Sequence, residues 1–470
     1  MSELVANETL QPVLDHIDQN QAASIERLQA LLRIPSVSTD PEFASEVHRC
    51  AEHLAEDLRS IGLDTTVHKT KGHPMVVASD DSAGPSAPRV LYYGHYDVQP
   101  VQPLDEWNDD PFKAAVVEGP RGKRIVARGA ADDKGQLMTF VEAVRSWKAV
   151  HKKLPVRVIM LFEGEEECGS ESLEPFLHEH KNDLLADTCI VCDTGMWDVD
   201  TPAITSKLRG LVYIEATLHG PSHDLHSGGY GGAVVNPANA ITKILGELHD
   251  EQGRVQIANF YDDVAEVSKE QSLQWDSLGD ADALVLESSG AKATYGEEGF
   301  TTLERLWARP TCDINGLFAG YTGSGAKTVI GASATAKISC RLVANQNPQQ
   351  IEDNLRAFLE ERTPDGCHWN ITSFGVAPAI SVPTDSPWLS AASDALTQIF
   401  PNPTVLIGSG GSIPVVGSFQ EILGVDAVLV GFSLDDDLIH APNEKFELSC
   451  FHNGVLAHAA ILDKYASIQS

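Results

Sequence analysis

Apolar positions recur along this chain with two different periods, and the change of period divides it. In "SIERLQALLRIP", Ile25, Leu28 and Leu32 stand at i, i+3 and i+7, which predicts an amphipathic helix stopped by Pro35. "RVLYYGHYDV" reads as a strand, "RGKRIVARGAADDKGQ" as a strand running into a loop, and "KGQLMTFVEAVRSW" as a helix with Leu137, Phe140, Val141 and Val144 on one face. "VRVIMLFEG" is a further strand, the chain from Glu171 is helical, and "TCIVCDTG" is again a strand. Strands alternating with helices predict an α/β sheet covered on both faces.

Near Lys207–Gly210 the pattern changes. "LVYIEATLHG" alternates with period two, and a helix follows at "NPANAITKILGELHD". After a polar, irregular stretch at 250–310, read as loops and short helices, come a strand "AKTVIGASATAKISCRLV", a helix carrying Ile351, Leu355, Phe358 and Leu359, and a strand "HWNITSFGV". This β-α-β-β-α-β-like order predicts an α+β two-layer sandwich. After "ISVPTDSPW" the first pattern resumes in "TVLIGSGGSIPVVGSF" and "DAVLVGFSLDDDLIHAPNE". The expected architecture is an α/β domain made of residues 1–208 and 383–470, interrupted by an inserted domain at 209–382. The chain shows no repeats and no low-complexity tract.

Composition narrows the function classes. A chain of 470 residues, 42% hydrophobic and 21% charged, is long enough for two or three domains with their own cores. Its formal charge of −33 excludes non-specific attraction to nucleic acid or anionic lipid. The acidic opening "MSELVANETLQPVLDHIDQN" has no apolar core of the signal-peptide kind, and no run of about 20 apolar residues could span a bilayer. The eight scattered cysteines fit reduced thiols in a cytoplasm. Cys189 and Cys192 form a CxxC, but they sit inside an apolar run without a second CxxC, so they read as small buried strand residues.

The chemistry-bearing residues stand where the predicted strands end. His95 and Asp97 end one strand, Asp132 and Asp133 follow another, Glu163, Glu165, Glu166 and Glu167 crowd the end of a third, Asp193 ends a fourth, and His440 lies in the loop after the last. In open α/β sheets, ligands bind beyond the carboxyl ends of strands, so these distant residues converge there. Taken singly, an HxD or a DD pair is common in surface turns and capped helices. Their joint placement predicts a divalent-metal site of imidazoles and carboxylates.

"LLRIPSVS", "GHYDVQP", "RGAADDKGQ", "EGEEECGS", "DLHSGGYGG", "RLVANQNP", "GGSIP" and "IHAPNE" together resemble the dinuclear zinc peptidases that include carnosinase, cytosolic non-specific dipeptidase, succinyl-diaminopimelate desuccinylase and glutamate carboxypeptidase. The matches run in order from about residue 31 to residue 444, and "DLHSG" and "KTVI" place the chain nearest the dipeptidase branch. The resemblance implies a catalytic domain with a central mixed sheet flanked by helices, and an inserted lid domain that makes a homodimer. It implies two divalent ions, zinc with manganese or cobalt as alternatives. His95 and Asp193 would hold one ion, Glu167 and His440 the other, and Asp132 would bridge them. Asp97 would orient His95, consistent with i and i+2 sharing a strand face. Asp133 would support the bridging carboxylate through a peptide that is often cis in the family. Two divalent ions and three ligating carboxylates leave one positive charge, which suits a bridging hydroxide. Glu166 would be the general acid/base. Glu165 would point elsewhere, and Glu163 would be structural.

In the inserted domain, His219, His223 and His226 are too loosely framed to read as a third metal site. The resemblance makes His226 a donor to the scissile carbonyl of the partner subunit's site. Arg341 would bind the substrate's terminal carboxylate, with Ser412 and Thr328 also contacting substrate. The chain departs from the family where the dipeptidase branch usually carries "REGGSIP": Gly408 and Ser409 replace the Arg-Glu pair. The main expectation is a cytoplasmic metal-dependent dipeptidase acting on small peptides. Its rival with the same chemistry is a deacylase or carboxypeptidase acting on N-acylated amino acids. A rival of another class is an acidic protein that only holds cations, and Glu166 beside a complete ligand set speaks against it.

Overall fold

The computed structural model describes residues 8–411 and 413–468. These divide into two compact units: the residues up to Ser206 with Val382–Leu406 and from Val415 onward, and Lys207–Ser381 with Ile407–Pro414.

The first unit is built on a mixed sheet. Its strands run in the spatial order Asp64–His68, Met75–Asp80, Arg157–Glu163, Arg89–His95, Thr188–Val191, Ala427–Val430, Ala203–Leu208. The four central strands, from Arg157–Glu163 to Ala427–Val430, are mutually parallel, and antiparallel neighbours close them on either side. Strand interiors buried on both faces explain the unbroken apolar runs: every residue of Val90–His95 and of Val158–Glu163 is buried. Parallel strands bring their carboxyl ends to one edge, and His95 lies directly opposite Glu163 in the register.

The helix Lys134–His151 differs from its expected one-sided burial. All residues from Lys134 to Val144 are buried, because the helix Leu448–Tyr465 also covers it, with Trp147 Nε1 donating to the Ala459 carbonyl at 3.1 Å. Its buried Glu142 is held by Arg27, at 2.6 and 2.7 Å, and by Ser24 at 2.8 Å. A buried carboxylate is tolerable only when so paired.

The second unit holds a four-stranded antiparallel sheet in the order Thr311–Ala319, Ser333–Leu342, Gly210–His219, His368–Ala377. Val212, Ile214, Ala216 and Leu218 turn to one face and form a core with Ile351, Leu355, Phe358 and Leu359 of the helix Pro348–Glu361 and with the helix Pro237–Gly246. Three differences from the sequence reading appear. The strand Thr311–Ala319 was not expected; it is an edge strand with a register shift between Ile314 and Gly316, so its alternation is broken. The long strand expected from Ala326 splits into Val329–Ile330 and Ser333–Leu342. Ile407–Pro414, read above as part of the closing α/β segment, falls with the second unit, where Gly408 backs onto Trp307. Among the described residues no helix is long and apolar enough to cross a membrane.

Candidate metal centre and active site

The first unit brings the predicted ligands together: His95, Glu167, Asp193 and His440 lie at or beyond the carboxyl ends of its parallel strands, whereas Asp132 follows Gly122–Val126, a strand of a separate antiparallel sheet. His95, Asp132 and Asp193 form one group whose ligand atoms lie within 4.8 Å of one another; Asp132, Glu167 and His440 form a second. Asp132 belongs to both. Its Oδ1 lies 3.0 Å from His95 Nε2 and its Oδ2 lies 2.9 Å from His440 Nε2, which in turn is 3.3 Å from Glu167 Oε2. One carboxylate thus presents an oxygen to each imidazole, as a bridge between two ions requires.

Each ligand is held from behind. His95 Nδ1 lies 3.2 Å from the Asp97 carbonyl oxygen and 3.4 Å from Asp97 Oδ1. Asp97 Oδ2 accepts from the Glu167 amide at 3.1 Å, so this one residue steadies a ligand of each group. The His95 amide donates to Asp133 Oδ2 at 3.0 Å, and the Asp132–Asp133 peptide is cis. Gln99, which the sequence reading passed over inside "GHYDVQP", donates to Glu167 Oε2 at 2.7 Å.

The donor set fits divalent cations. Three carboxylates and two imidazoles crowd together, from the buried His95 to the exposed His440, and Glu167 Oε1 is buried without a hydrogen-bond partner. The electrostatics show the strain of that crowding. Burial first, then the charge of Asp132, pushes the Asp193 carboxyl well above the usual carboxylate range. Burial also opposes ionising Asp132, but hydrogen bonds from His440 and His95 overcome it and hold that carboxyl low. His440 is raised to about 10 by its bonds to Asp132 and Glu167. Positive charge in the site relieves each of these conflicts.

The cluster at Glu163–Glu167 sorts into four environments. Glu163 is fully buried, accepts from Tyr93 Oη at 2.5 Å, and is pushed up to about 8, mainly by burial. Glu165 turns away from the ligand groups: its oxygens accept from the His73 amide at 2.8 Å and the Ser172 amide at 3.0 Å. Its carboxylate fills the space above Gly72, where a Cβ would fall 1.4 Å from Oε1. Glu167 is a ligand. Glu166, on the same 3₁₀ turn, belongs to neither group, and burial, with help from Glu167 and Asp132, lifts its carboxyl to about 7.

The remaining predicted residues lie in the second unit. His226 is exposed, and its Nδ1 accepts from the Gly228 amide at 2.9 Å. With Nδ1 accepting, Nε2 is the ring nitrogen left to act as a donor. Leu225–His226 pairs with Val329–Ile330, and the Ser227 amide donates to the Thr328 carbonyl at 3.0 Å, so His226 and Thr328 share one corner. Arg341 is part-exposed on Ser333–Leu342, opposite Thr311 and Leu211. Ser412 lies outside the described residues. Gly408 has a physical reason: a Cβ there would lie 2.5 Å from Trp307 Cβ, so no side chain fits without moving the indole. His219 stacks on His368 with ring centroids 5.1 Å apart. Among the described residues no metal-ligating group includes His219, His223 or His226.

Comparison with known proteins agrees with this geometry. Residues 91–464 match the model of Peptidase family M20/M25/M40. The Cys-Gly metallodipeptidase dug1 of Schizosaccharomyces pombe is 30% identical, over 98% of this chain and 99% of the relative. The solved structure of the dipeptidase Dug1p from Saccharomyces cerevisiae superposes with a TM-score of 0.82 at 27% identity, covering 98% of this chain and 99% of that one. An M20 family metallo-carboxypeptidase from Sulfolobus solfataricus gives a TM-score of 0.81 at 32% identity, covering 95% and 99%.

Proposed function

The chain belongs to Peptidase family M20/M25/M40, and from that premise we propose how its residues divide the work of hydrolysing a peptide bond. It is a metal-dependent peptidase, and its reaction is hydrolysis of dipeptides. The observation that carries the assignment is the sharing of Asp132 between the two ligand groups. His95, Asp132 and Asp193 would hold one divalent ion, and Asp132, Glu167 and His440 the other; zinc suits this set, with manganese or cobalt as alternatives. When bound, such ions supply Lewis acidity towards the scissile carbonyl and the attacking water.

The chain's own groups do the rest. Glu166 stands beside Glu167 without being a ligand, so its carboxylate is free to take the proton of the attacking water and return it to the leaving nitrogen. Asp97 acts as a positioning residue for His95. His226 Nε2–H donates to the carbonyl oxygen as charge develops there, and Arg341, with Thr328 and Ser412, receives the substrate carboxylate. His226 acts in trans, in a homodimer formed through the second unit. Supporting this, Phe318 and Phe374 stand exposed on the face of that unit's sheet away from its core, Phe374 beside Tyr213. The eight cysteines are unpaired, Cys312 and Cys340 even while directly opposite on adjacent strands, which suits a reducing compartment.

A second reading keeps the chemistry and changes the substrate. Trp307 occupies the space over Gly408, so the arginine usual there in the dipeptidase branch would not fit beside it. That favours a deacylase or carboxypeptidase acting on N-acylated amino acids. Comparing hydrolysis of a free dipeptide with its N-acetyl form separates the two. Faster hydrolysis of the free dipeptide supports the main reading, and turnover of the N-acetyl form alone overturns it.

A further inference from the structure

Asp132 and His440 reach the candidate centre on two loops more than 300 residues apart in sequence. Besides the direct approach of His440 to Asp132, one buried side chain ties those loops together. Glu444 is fully buried, four residues beyond His440. Its Oε1 accepts from the amides of Ala131 and Asp132 at 2.9 and 3.1 Å. Its Oε2 accepts from the Gly129 amide at 3.0 Å and from Arg128 Nη1 at 2.7 Å. The Glu444 carbonyl oxygen accepts from the Ala127 amide at 3.1 Å, at the start of the strand pairing between Lys445–Glu447 and Gly122–Val126. Three amides and a guanidinium therefore saturate one carboxylate, and one of those amides is that of the shared ligand itself. Three converging N–H donors fix a carboxylate in position as well as orientation.

The two ligand groups depend on this junction unequally. His95 and Asp193 follow adjacent parallel strands, Arg89–His95 and Thr188–Val191, whose spacing the sheet sets. In the other group, Asp132 and His440 both belong to the loops that meet at Glu444, and only Glu167 is anchored elsewhere. We propose that Glu444 is a positioning residue that sets the spacing of Asp132 and His440 and thereby the affinity of the Asp132/Glu167/His440 group for its ion. The inference rests on the reading of the two groups as a dinuclear centre.

Removing Glu444 alone would leave Arg128 buried without its charge partner, and such a loss destabilises for reasons unrelated to metal. The test therefore uses Glu444→Gln combined with Arg128→Met, which removes both charges, beside Arg128→Met alone. Each chelator-stripped protein is titrated with manganese and with zinc against a competing chelator, and its thermal midpoint is measured without metal. No substrate enters the assay. The double variant should unfold within a few degrees of wild type. It should bind one ion about 10–100-fold more weakly, the range typical when the support of a metal ligand is lost. The other ion should change much less, and Arg128→Met alone should keep both affinities. Unchanged affinities in the double variant, or equal loss of both ions, overturn the proposal. Should the double variant not fold, Glu444→Gln and Arg128→Met decide as singles; equal weakening of one ion in both would make Glu444 only a charge partner. A wild type that never binds a second ion would overturn the dinuclear reading itself.

Discussion

His458 offers a test of the packing account that is independent of the metal centre. It lies on the helix Leu448–Tyr465, is fully buried, and neither ring nitrogen has a hydrogen-bond partner. Edge-to-face rings of Tyr92 at 5.6 Å and of Phe140 and Phe432, both at 5.3 Å, surround it. Burial holds its pKa down to about 3, against 6.5 for a free imidazole. Between those values the unfolded chain binds a proton that the folded chain refuses, so stability falls as pH drops below 6.5 and rises as pH increases towards it. Each pH unit in that window costs about 1.4 kcal/mol. From pH 7.5 to pH 5 only the last 1.5 units below 6.5 count, which gives about 2 kcal/mol. His458→Leu removes the group and hence this component. At pH 7.5 the variant gains relief from two unpaired polar atoms and loses the aromatic edge contacts, each worth roughly 1–3 and 0.5–1.5 kcal/mol, so it should lie near wild type. Urea unfolding of both proteins at pH 7.5 and pH 5 gives the difference, in which the titration of every other group cancels. The difference should shift by about 2 kcal/mol in favour of the variant at pH 5. A difference constant to within about 0.5 kcal/mol would show that folded His458 protonates as readily as a free imidazole, and would refute the reasoning.

Glu166→Gln should keep both ions but lose most turnover, because an amide cannot shuttle the proton; activity within about threefold of wild type would remove Glu166 from that role. Asp132→Asn should weaken both ions together, since its two oxygens face the two groups; elemental analysis showing two tightly held ions in that variant would count against the bridge. His226→Ala should lower turnover about 10²–10³-fold, with a smaller change in substrate affinity. Mixing that variant with Glu166→Gln under subunit exchange should restore about a quarter of wild-type activity, one intact site arising in each mixed dimer; inactive verified heterodimers would place His226 in its own chain's site or outside catalysis.

That the candidate ligands would lie together was legible because residues beyond strand ends stand out in the sequence. His95 and Asp193 end parallel strands or follow them directly, Glu167 and His440 lie in loops beyond two more, and only Asp132 comes from a strand of a separate antiparallel sheet. What sits behind them was not legible. Gln99 and Glu444 were visible inside motifs, but the amides and carboxylate they hold are separated from them by long stretches of chain, and no local pattern marks a hydrogen-bond acceptor for remote backbone. The same holds for Glu165, whose partners His73 and Ser172 and whose close neighbour Gly72 become apparent only in three dimensions. The helix Lys134–His151 showed an apolar stripe but is buried almost all round at its start, because Gln136, Thr139 and Glu142 find internal partners and so tolerate burial. The strand Thr311–Ala319 escaped notice because its bulge and exposed edge remove the alternation that identifies strands.

The central claim is that two ions sharing Asp132 make this chain a peptidase. Its most direct test titrates chelator-stripped protein with zinc or manganese while measuring ions bound per chain and the rate of hydrolysis of a free dipeptide in the same samples. The account predicts no hydrolysis without metal, two ions per chain at saturation, and turnover that rises as the second ion binds. Hydrolysis by the metal-free protein, or full activity at a saturating single ion per chain, would contradict it.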